Sequence, residues 1–301
     1  MEAQPAIRKF RFWPFRRRAK IFRMSKFEKG IALFLTLFSL FMFLPIIYIF
    51  NHALKPYHEL FLFPPTIWAR EPSFANFIEL LFVTQGTAIP ISRYIFNSVF
   101  VAILCVIAMT IISALCAYPL SKHKFPGSKA LFALIMLCLL FAPETVQIPR
   151  YLVAANIGIM NNYAGHVIPL IAMPVGVFLM KQFIDQVPDE LLESARMDGA
   201  REMTVFLRIV VPICMPAVAT ISMISFNEAW GNEETSVLYM QDEEMKTLPF
   251  YVSTLTSNMA NNVARQGAAA AAAMLLFVPN LVVFLVFQSR VIATMAHSGI
   301  K

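Results

Sequence analysis

Long apolar stretches separated by short charged segments dominate this chain. Five of them lack Lys, Arg, Asp and Glu altogether: residues 30–54, 94–121, 151–180, 209–227 and 266–289. An α-helix rises 1.5 Å per residue, so about 20 apolar residues cross the hydrocarbon core of a bilayer. A sixth stretch, starting at residue 130, becomes long enough only if it continues past Glu144 to Gln147. The pattern predicts six spans, at about residues 30–52, 94–120, 129–148, 164–184, 208–227 and 267–288.

The composition agrees with a membrane location. Of the 301 residues, 58% are hydrophobic and only 14% are charged, and the mean hydropathy is +0.64. A water-soluble domain of this length cannot cover so much apolar surface. We therefore predict an all-α membrane protein with six transmembrane helices.

Basic residues set the expected orientation of these helices. The first 29 residues carry ten Lys or Arg. The loops after the second and fourth predicted spans are also basic, with Lys122, Lys124, Lys129, Lys181, Arg196, Arg201 and Arg208. Loops that hold Lys and Arg stay in the cytoplasm. Both termini are therefore predicted to be cytoplasmic.

The chain divides into a basic N-terminal segment, residues 1–29, and a transmembrane domain, residues 30–301. Two interpretations of the first segment stay open: an anchor that only fixes orientation, or an interfacial helix on anionic lipid. The second is favoured by aromatic residues interleaved with the basic ones: Phe10, Phe12, Trp13, Phe15, Phe22 and Phe27. A basic segment beside a span binds lipid headgroups, so we expect no nucleic-acid partner.

The sequence contains no motif for chemistry of its own. It has no G-x-x-x-x-G-K-[ST] phosphate loop and no G-x-S-x-G nucleophile motif. Its five histidines and four cysteines show no metal-ligand spacing. Ionisable residues at membrane depth mark proton and ion pathways, and the few here lie near span ends. We predict a translocation path without catalytic residues, metal, cofactor or energy source.

The loop between the fourth and fifth predicted spans, residues 186–212, has the composition of a short helix on the cytoplasmic surface. Pro188 suits the first helical position, and the two acidic residues after it complement the helix dipole. Gly199 suits a helix end, and a second helical stretch over residues 200–208 leads to the fifth span. Apolar and small residues would let another surface approach closely: Leu191, Leu192, Ser194 and Ala195.

This loop resembles the EAA loop of ABC importer permeases. The matching positions are Glu193, Ser194, Ala195, Asp198, Gly199, Ala200, Ile209 and Pro212. Ser194 stands where alanine is usual in the family, and it keeps the residue small. The resemblance implies that the loop docks on a separate ATPase and couples ATP hydrolysis to transport.

Further segments resemble the carbohydrate-uptake branch of these importers, of which the second maltose permease subunit is a familiar member. They include Asn97–Ser98, residues 117–122, residues 125–127 and residues 227–230. The likeness covers about residues 30–301. It implies a multi-pass subunit of the bacterial cytoplasmic (inner) membrane that forms half of the path for a sugar or oligosaccharide.

The same resemblance implies the partners: an ABC ATPase dimer that binds ATP and Mg²⁺, a second and different permease subunit, and an extracytoplasmic sugar-binding protein. It implies that Glu193 contacts a basic residue of the ATPase and that Ser194 and Ala195 let the ATPase approach closely. It also implies that the chain turns at Gly199. For Asp198, direct contact with the ATPase and capping of the second helix both stay open.

On the opposite side, Asn227 and Trp230 are candidates for the substrate path, since an aromatic face beside an amide suits a sugar ring. Anchoring of Trp230 at the membrane interface is the alternative. Residues 231–265 are either a solvated loop or a contact for the binding protein or the path. Two other functions also stay open: an ABC permease for a non-sugar solute, and a self-sufficient channel or secondary carrier.

Overall fold

The structure is a computed structural model that describes residues 25–60, 62, 66, 68–83, 89–259 and 266–298. The described residues form helices and connecting turns, with no strand among them. The chain has two compact units, Met1–Ile47 and Tyr48–Lys301. Most of the predicted basic segment, residues 1–24, lies outside the described residues.

Helix α1, Lys26–Leu54, contributes nearly all of the described part of the first unit. It begins at a capping box, in which the Glu28 backbone N–H donates to Ser25 Oγ at 3.2 Å and the Ser25 N–H donates to Glu28 Oε2 at 2.7 Å. The residues from Lys26 to Lys29, which the sequence assigns to the N-terminal segment, thus belong to the first helix. Most of its apolar side chains are exposed, as expected for a helix in lipid.

Two short helices follow α1, namely α2, Tyr57–Leu60, and α3, Ala75–Val83. Asn76 fixes α3 to the end of α1, because its side-chain amide donates to the carbonyls of Ala53 at 2.8 Å and Lys55 at 2.7 Å.

The remaining helices of the second unit follow in chain order. They are α4 (Ile91–Lys122), α5 (Ser128–Cys138), α6 (Gln147–Asn156), α7 (Tyr163–Ile171), α8 (Pro174–Ile184), α9 (Asp189–Met197), α10 (Glu202–Val205), α11 (Val211–Ile213), α12 (Met215–Trp230), α13 (Glu234–Tyr239), α14 (Leu248–Met259) and α15 (Gln266–Ser298). Short 3-10 turns cover Pro143–Val146 and Glu243–Met245, and a π-helical turn covers Phe206–Val210.

The prediction of six spans is confirmed in number but not in continuity. Three segments are single helices long and apolar enough to cross a membrane, namely Lys26–Leu54, Ile91–Lys122 and Gln266–Ser289. The other three candidate spans are pairs of shorter helices joined at a bend, so the described residues hold up to six spans.

The three bends correct the expectation of continuous helices over residues 129–148, 164–184 and 208–227. The bend is 106° between Ser128–Cys138 and Pro143–Asn156, 49° between α7 and α8, and 81° between Glu202–Ile213 and Met215–Trp230. Prolines follow each break, at Pro143, Pro174 and Pro216. Proline lacks the N–H that would bond to the preceding turn, so the helix ends or bends there.

Helix α4 lies at the centre of the second unit and packs against α7, α8 and α12. The crossing with α8 is close, because a Cβ added to Gly176 would lie 2.4 Å from Ser113 Oγ of α4. A side chain at position 176 would force Ser113 to shift, so glycine lets the two helices approach closely. Buried apolar residues form one cluster around the first part of α4 and another around its last turns, where α9 and α10 also pack.

Candidate functional site

The predicted docking helix is present as α9, Asp189–Met197. Pro188 adopts an extended conformation with ψ of 135° and directly precedes the helix, so it does not occupy the first helical position as expected. Its fixed φ and extended ψ still direct the chain into the helix. We refer to α9 below as the docking helix.

Gly199 ends the docking helix as the sequence predicts. It has a φ of 80°, which is the left-handed region that favours glycine. The Ala200 N–H donates to the Ala195 carbonyl, and the Gly199 N–H donates to the Arg196 carbonyl, both at 3.0 Å. These two bonds form a Schellman motif and account for the spacing from Ala195 to Ala200.

The docking helix has a buried face and an exposed face. Leu192 is only 1% exposed and packs in the apolar cluster around the last turns of α4, and Ala195 lies half-buried beside it. The exposed face, which we call the docking surface, consists of Glu190, Glu193, Ser194 and Met197. These positions follow the i, i+3, i+4, i+7 spacing of one helix face.

Met197 is the docking-surface residue that the sequence interpretation missed. Its side chain is 89% exposed, next to charged and small residues. The sequence feature that could have identified it is an apolar residue between the charged Arg196 and Asp198, one helical turn after Glu193. An exposed methionine suits a contact surface because its flexible thioether adapts to the partner.

Asp198 is exposed at the end of the docking helix. The next helix, α10, begins after Arg201 and has no side chain capping its first turn. Asp198 therefore does not cap α10 in this structure. Direct contact of Asp198 with a partner stays a prediction.

Ile209 and Pro212 lie where the chain turns into the fifth span. Ile209 belongs to the π-helical turn Phe206–Val210 and is half-buried against the apolar cluster around the last turns of α4. Pro212 is exposed in α11, directly before the 81° bend into α12. A residue without an N–H fits a position where the regular hydrogen-bond ladder is interrupted.

One end of the docking helix is attached to the last turn of α4. Lys122 Nζ donates to the Val187 carbonyl at 2.6 Å and to Asp189 Oδ1 at 2.7 Å. The Lys122 side chain is only 6% exposed although it carries a charge. Its hydrogen bond and its charge hold the pKa of the Asp189 carboxyl below the usual range.

The other end is attached to the same helix through Glu202. Tyr118 of α4 donates its hydroxyl to Glu202 Oε2 at 2.7 Å, and Arg196 Nε donates to Glu202 Oε1 at 2.7 Å. His123 Nε2 lies 3.7 Å from Glu202 Oε2. Glu202 and Lys122 were not among the predicted site residues, because their partners lie far away in the sequence.

The two candidate path residues, Asn227 and Trp230, do not form a joint surface in this structure. The Asn227 side chain is exposed. Trp230 is only 4% exposed, stacks on Phe226 with 5.6 Å between the ring centroids, and donates its Nε1–H to the Leu276 carbonyl at 3.0 Å. The indole packs against α15, so Asn227 alone offers its side chain to a solute here.

The segment after α12 is folded rather than loose through Met259, the last residue described before α15. His166 bonds through Nδ1 to Thr235 Oγ1 at 2.8 Å and through Nε2 to the Met245 carbonyl at 2.9 Å. Asn161 Oδ1 accepts from the Gln241 and Asp242 N–H groups at 3.2 and 3.0 Å. Residues 233–248 are therefore held in a defined conformation, although residues 241–244 are exposed, and both a solvated segment and a contact for the binding protein stay open.

Metal chemistry finds no support in the described part of the chain, where no three His, Cys, Asp or Glu side chains lie close enough to hold an ion. The four cysteines are unpaired, with Cys105 and Cys214 buried and Cys116 and Cys138 exposed.

The sequence is similar to a known protein family and to characterised relatives. Residues 128–289 match the family model described as binding-protein-dependent transport system inner membrane component. The chain is 31% identical over 265 residues to the melibiose/raffinose/stachyose import permease MelC of Bacillus subtilis, covering 86% of this chain and 91% of that protein.

Two further relatives cover nearly the whole chain. The arabinooligosaccharides permease AraQ of Bacillus subtilis is 27% identical over 279 residues, which is 93% of this chain and 98% of that protein. A crystal structure of a bacterial ABC transporter that imports alginate superposes with a TM-score of 0.74 at 21% identity, covering 88% of this chain and 98% of that one. The helical fold, the interrupted spans and these matches together show that the chain belongs to the family of inner-membrane components of binding-protein-dependent transport systems.

Proposed function

We propose that this chain is the permease subunit of an ABC importer and forms half of the transmembrane path for an oligosaccharide. The docking helix carries the proposal: its apolar face is buried, its exposed face presents Glu193, Ser194 and Met197, and Gly199 ends it at a φ of 80°. A helix held in this way on a membrane domain fits a cleft on a soluble partner.

The partner that fits this surface is an ABC ATPase dimer, which binds ATP and Mg²⁺. Glu193 would pair with a basic residue of the ATPase, Ser194 would allow close contact, and Met197 would add apolar area. ATP binding then favours one arrangement of the spans only through contacts that differ between the two arrangements. Hydrolysis takes place on the ATPase, and this chain supplies no catalytic group.

The substrate class follows from the relatives. AraQ is named for arabinooligosaccharides and MelC for melibiose, raffinose and stachyose. We infer a sugar or short oligosaccharide, delivered by an extracytoplasmic binding protein, with a second and different permease chain forming the other half of the path.

The experiment is transport in proteoliposomes that contain this chain, its co-encoded second permease and the ATPase. Uptake of radiolabelled raffinose and of an arabino-oligosaccharide is measured with and without ATP and the sugar-loaded binding protein. We expect uptake of at least one sugar only when both are present. Uptake without ATP would instead support a channel or secondary carrier, and a binding protein that holds an amino acid or phosphate would support a non-sugar importer.

A further inference from the structure

Helix α4 differs from its neighbours in the second unit because it is unbroken. It runs for 32 residues, from Ile91 to Lys122, which corresponds to about 48 Å. Of the helices packed against it, α5, α7, α8 and α12 belong to bent pairs, whereas α14 is a short helix of 12 residues. A continuous helix transmits a displacement along its axis better than a segment with a bend.

At its last turns, α4 holds both ends of the docking helix. Lys122 bonds to Val187 and Asp189 at the start of that helix. Tyr118, four residues earlier and so on the same face of α4, bonds to Glu202, which in turn accepts from Arg196 near the end. These contacts form what we call the inner cluster, Tyr118, Lys122, Asp189, Arg196 and Glu202.

In the inner cluster, the positive charge of Lys122 lies at the N-terminus of the docking helix. A lysine at a helix N-terminus is unfavourable, because that end of the helix is positive. The Lys122 amine is nevertheless nearly buried there and bonds to a carbonyl and a carboxylate. A buried charge of this kind contributes little to stability but fixes one geometry. The contact is therefore suited to orient the docking helix on α4.

At its other end, α4 holds the segment that precedes α14. Asn97, which is fully buried, donates through Nδ2 to the carbonyls of Glu244 and Lys246, both at 2.8 Å. Ser98 Oγ accepts from the Leu248 N–H at 2.7 Å. We call Asn97, Ser98 and residues 244–248 the outer cluster.

The part of α4 between the clusters is tightly packed. Its buried residues include Cys105, Met109 and Ser113, and Gly176 of α8 lies so close to Ser113 that an added Cβ would force the serine side chain to shift. Thr110 Oγ1 and Ser222 Oγ of α12 lie 3.3 Å apart. Close packing of this kind resists sliding, so the two ends of the helix shift together.

We propose that α4 joins the docking helix to the outer segment as one rigid element, so that the inner and outer clusters are energetically coupled although they are separated by about 30 Å of helix. The proposal rests on the function proposed above. It assigns Lys122, Tyr118, Asn97 and Ser98 as positioning residues that relay the arrival of the loaded binding protein to the ATPase.

The test is a double-mutant cycle in the complete transporter, with Lys122→Met, Ser98→Ala and the double variant. Three quantities are measured: the amount of co-purified ATPase, the melting temperature, and the fold stimulation of ATP hydrolysis by sugar-loaded binding protein. Lys124→Met is the matched control, since Lys124 is exposed and its charge acts on Asp189 only at a distance, without the hydrogen bonds that Lys122 makes. Lys122→Arg is the conservative variant, because it keeps a buried cationic donor.

We expect both single variants to retain the ATPase but to lose stimulation several-fold, within the roughly 5- to 150-fold range of allosteric coupling. The double variant should lose no more than the worse single variant, and the control and Lys122→Arg should retain most stimulation. If Lys122→Met lowers the melting temperature, Tyr118→Phe removes only a hydroxyl and replaces it in the cycle.

Unchanged stimulation in well-folded single variants would overturn the proposal, and so would losses that multiply in the double variant, because independent effects mean that no rigid element joins the clusters. A wild-type chain that retains no ATPase would instead overturn the proposed function itself.

Discussion

Gly199 illustrates how one backbone angle sets the geometry of the docking surface. A Cβ at this position would meet nothing within 4 Å, so steric space does not explain the glycine. The φ of 80° does, because β-branched residues are strained there by about 1–3 kcal/mol.

We therefore predict that Gly199→Val lowers the melting temperature and the amount of ATPase retained, whereas Gly199→Asn has a smaller effect, since asparagine tolerates the left-handed region. Both variants are measured by thermal unfolding and by co-purification. Equal losses for the two substitutions would show that the backbone angle is not the cause.

Glu59 provides a second prediction at this scale, on the segment between α1 and α4. Its buried carboxylate accepts from the Arg70 N–H at 3.0 and 3.1 Å and from the Glu71 N–H at 2.8 Å. The bond from Arg70 is the main reason that the pKa of Glu59 lies below its ordinary value of 4.5. A carboxylate whose pKa is lower in the folded than in the unfolded protein stabilises the fold at pH values above the unfolded-state pKa. This stabilisation is lost as the pH falls through the folded-state pKa.

Glu59→Gln should therefore lower the melting temperature at pH 7, and the difference from wild type should shrink as the pH falls below about 4.5. Thermal unfolding of the purified protein across this pH range measures it. Glu71→Gln is the control, because the Glu71 side chain is 78% exposed. A difference for Glu59→Gln that does not change with pH would contradict the assigned hydrogen bonds.

Features that depend only on neighbouring residues in the sequence were predictable. The spacing from Glu193 to Gly199 predicted the docking helix and its left-handed end, because a helix end depends on its own few residues. The attachment of that helix to α4 was not predictable in the same way. Lys122 and Asp189 are 67 positions apart, and Tyr118 and Glu202 are 84 positions apart. Only the packed fold brings them together.

At the scale of elements, hydropathy located the six apolar stretches but not the bends within three of them. Mean hydropathy is insensitive to geometry, whereas a bend depends on where a proline removes a backbone hydrogen bond. Pro143, Pro174 and Pro216 were visible in the sequence, but α4 also contains Pro119 and continues past it. Packing against neighbouring helices therefore decides whether a helix bends at a proline or continues past it.

The docking helix as an element yields a further prediction. Met197 is 89% exposed in the free chain, and burial of such a side chain stabilises a contact by about 1.5–3 kcal/mol. We expect Met197→Ser to weaken ATPase binding at least several-fold without lowering the melting temperature of the permease, since Met197 contributes little to the fold. Titration of the detergent-solubilised permease with the purified ATPase measures this. A variant that unfolds earlier, or that binds the ATPase as tightly as wild type, would remove Met197 from the docking surface.

At the scale of the whole molecule, the described residues contain one helix of the docking type, α9, and the predicted spans hold few polar side chains. A path built from two copies would leave sugar hydroxyls without partners, each at a cost of about 1–3 kcal/mol. Two-fold symmetry would also conflict with a directional oligosaccharide. We therefore expect a second and different permease chain in the membrane core.

Expression with the ATPase alone, and then with the co-encoded second permease, tests this expectation. Stable complexes with sugar-stimulated ATP hydrolysis should form only when both permeases are present. The same activity from this chain and the ATPase alone would contradict the heterodimer.

The central claim is that this chain is driven by a separate ATPase bound at the docking helix. The most direct measurement is ATPase co-purification together with ATP-driven sugar uptake in Glu193→Ala, compared with Glu71→Ala, which removes an exposed carboxylate outside the docking helix. Truncating a charge that pairs at a buried interface costs about 2–5 kcal/mol. We predict that Glu193→Ala loses most of the ATPase and the uptake while Glu71→Ala keeps both. Wild-type co-purification and uptake in Glu193→Ala would contradict the account.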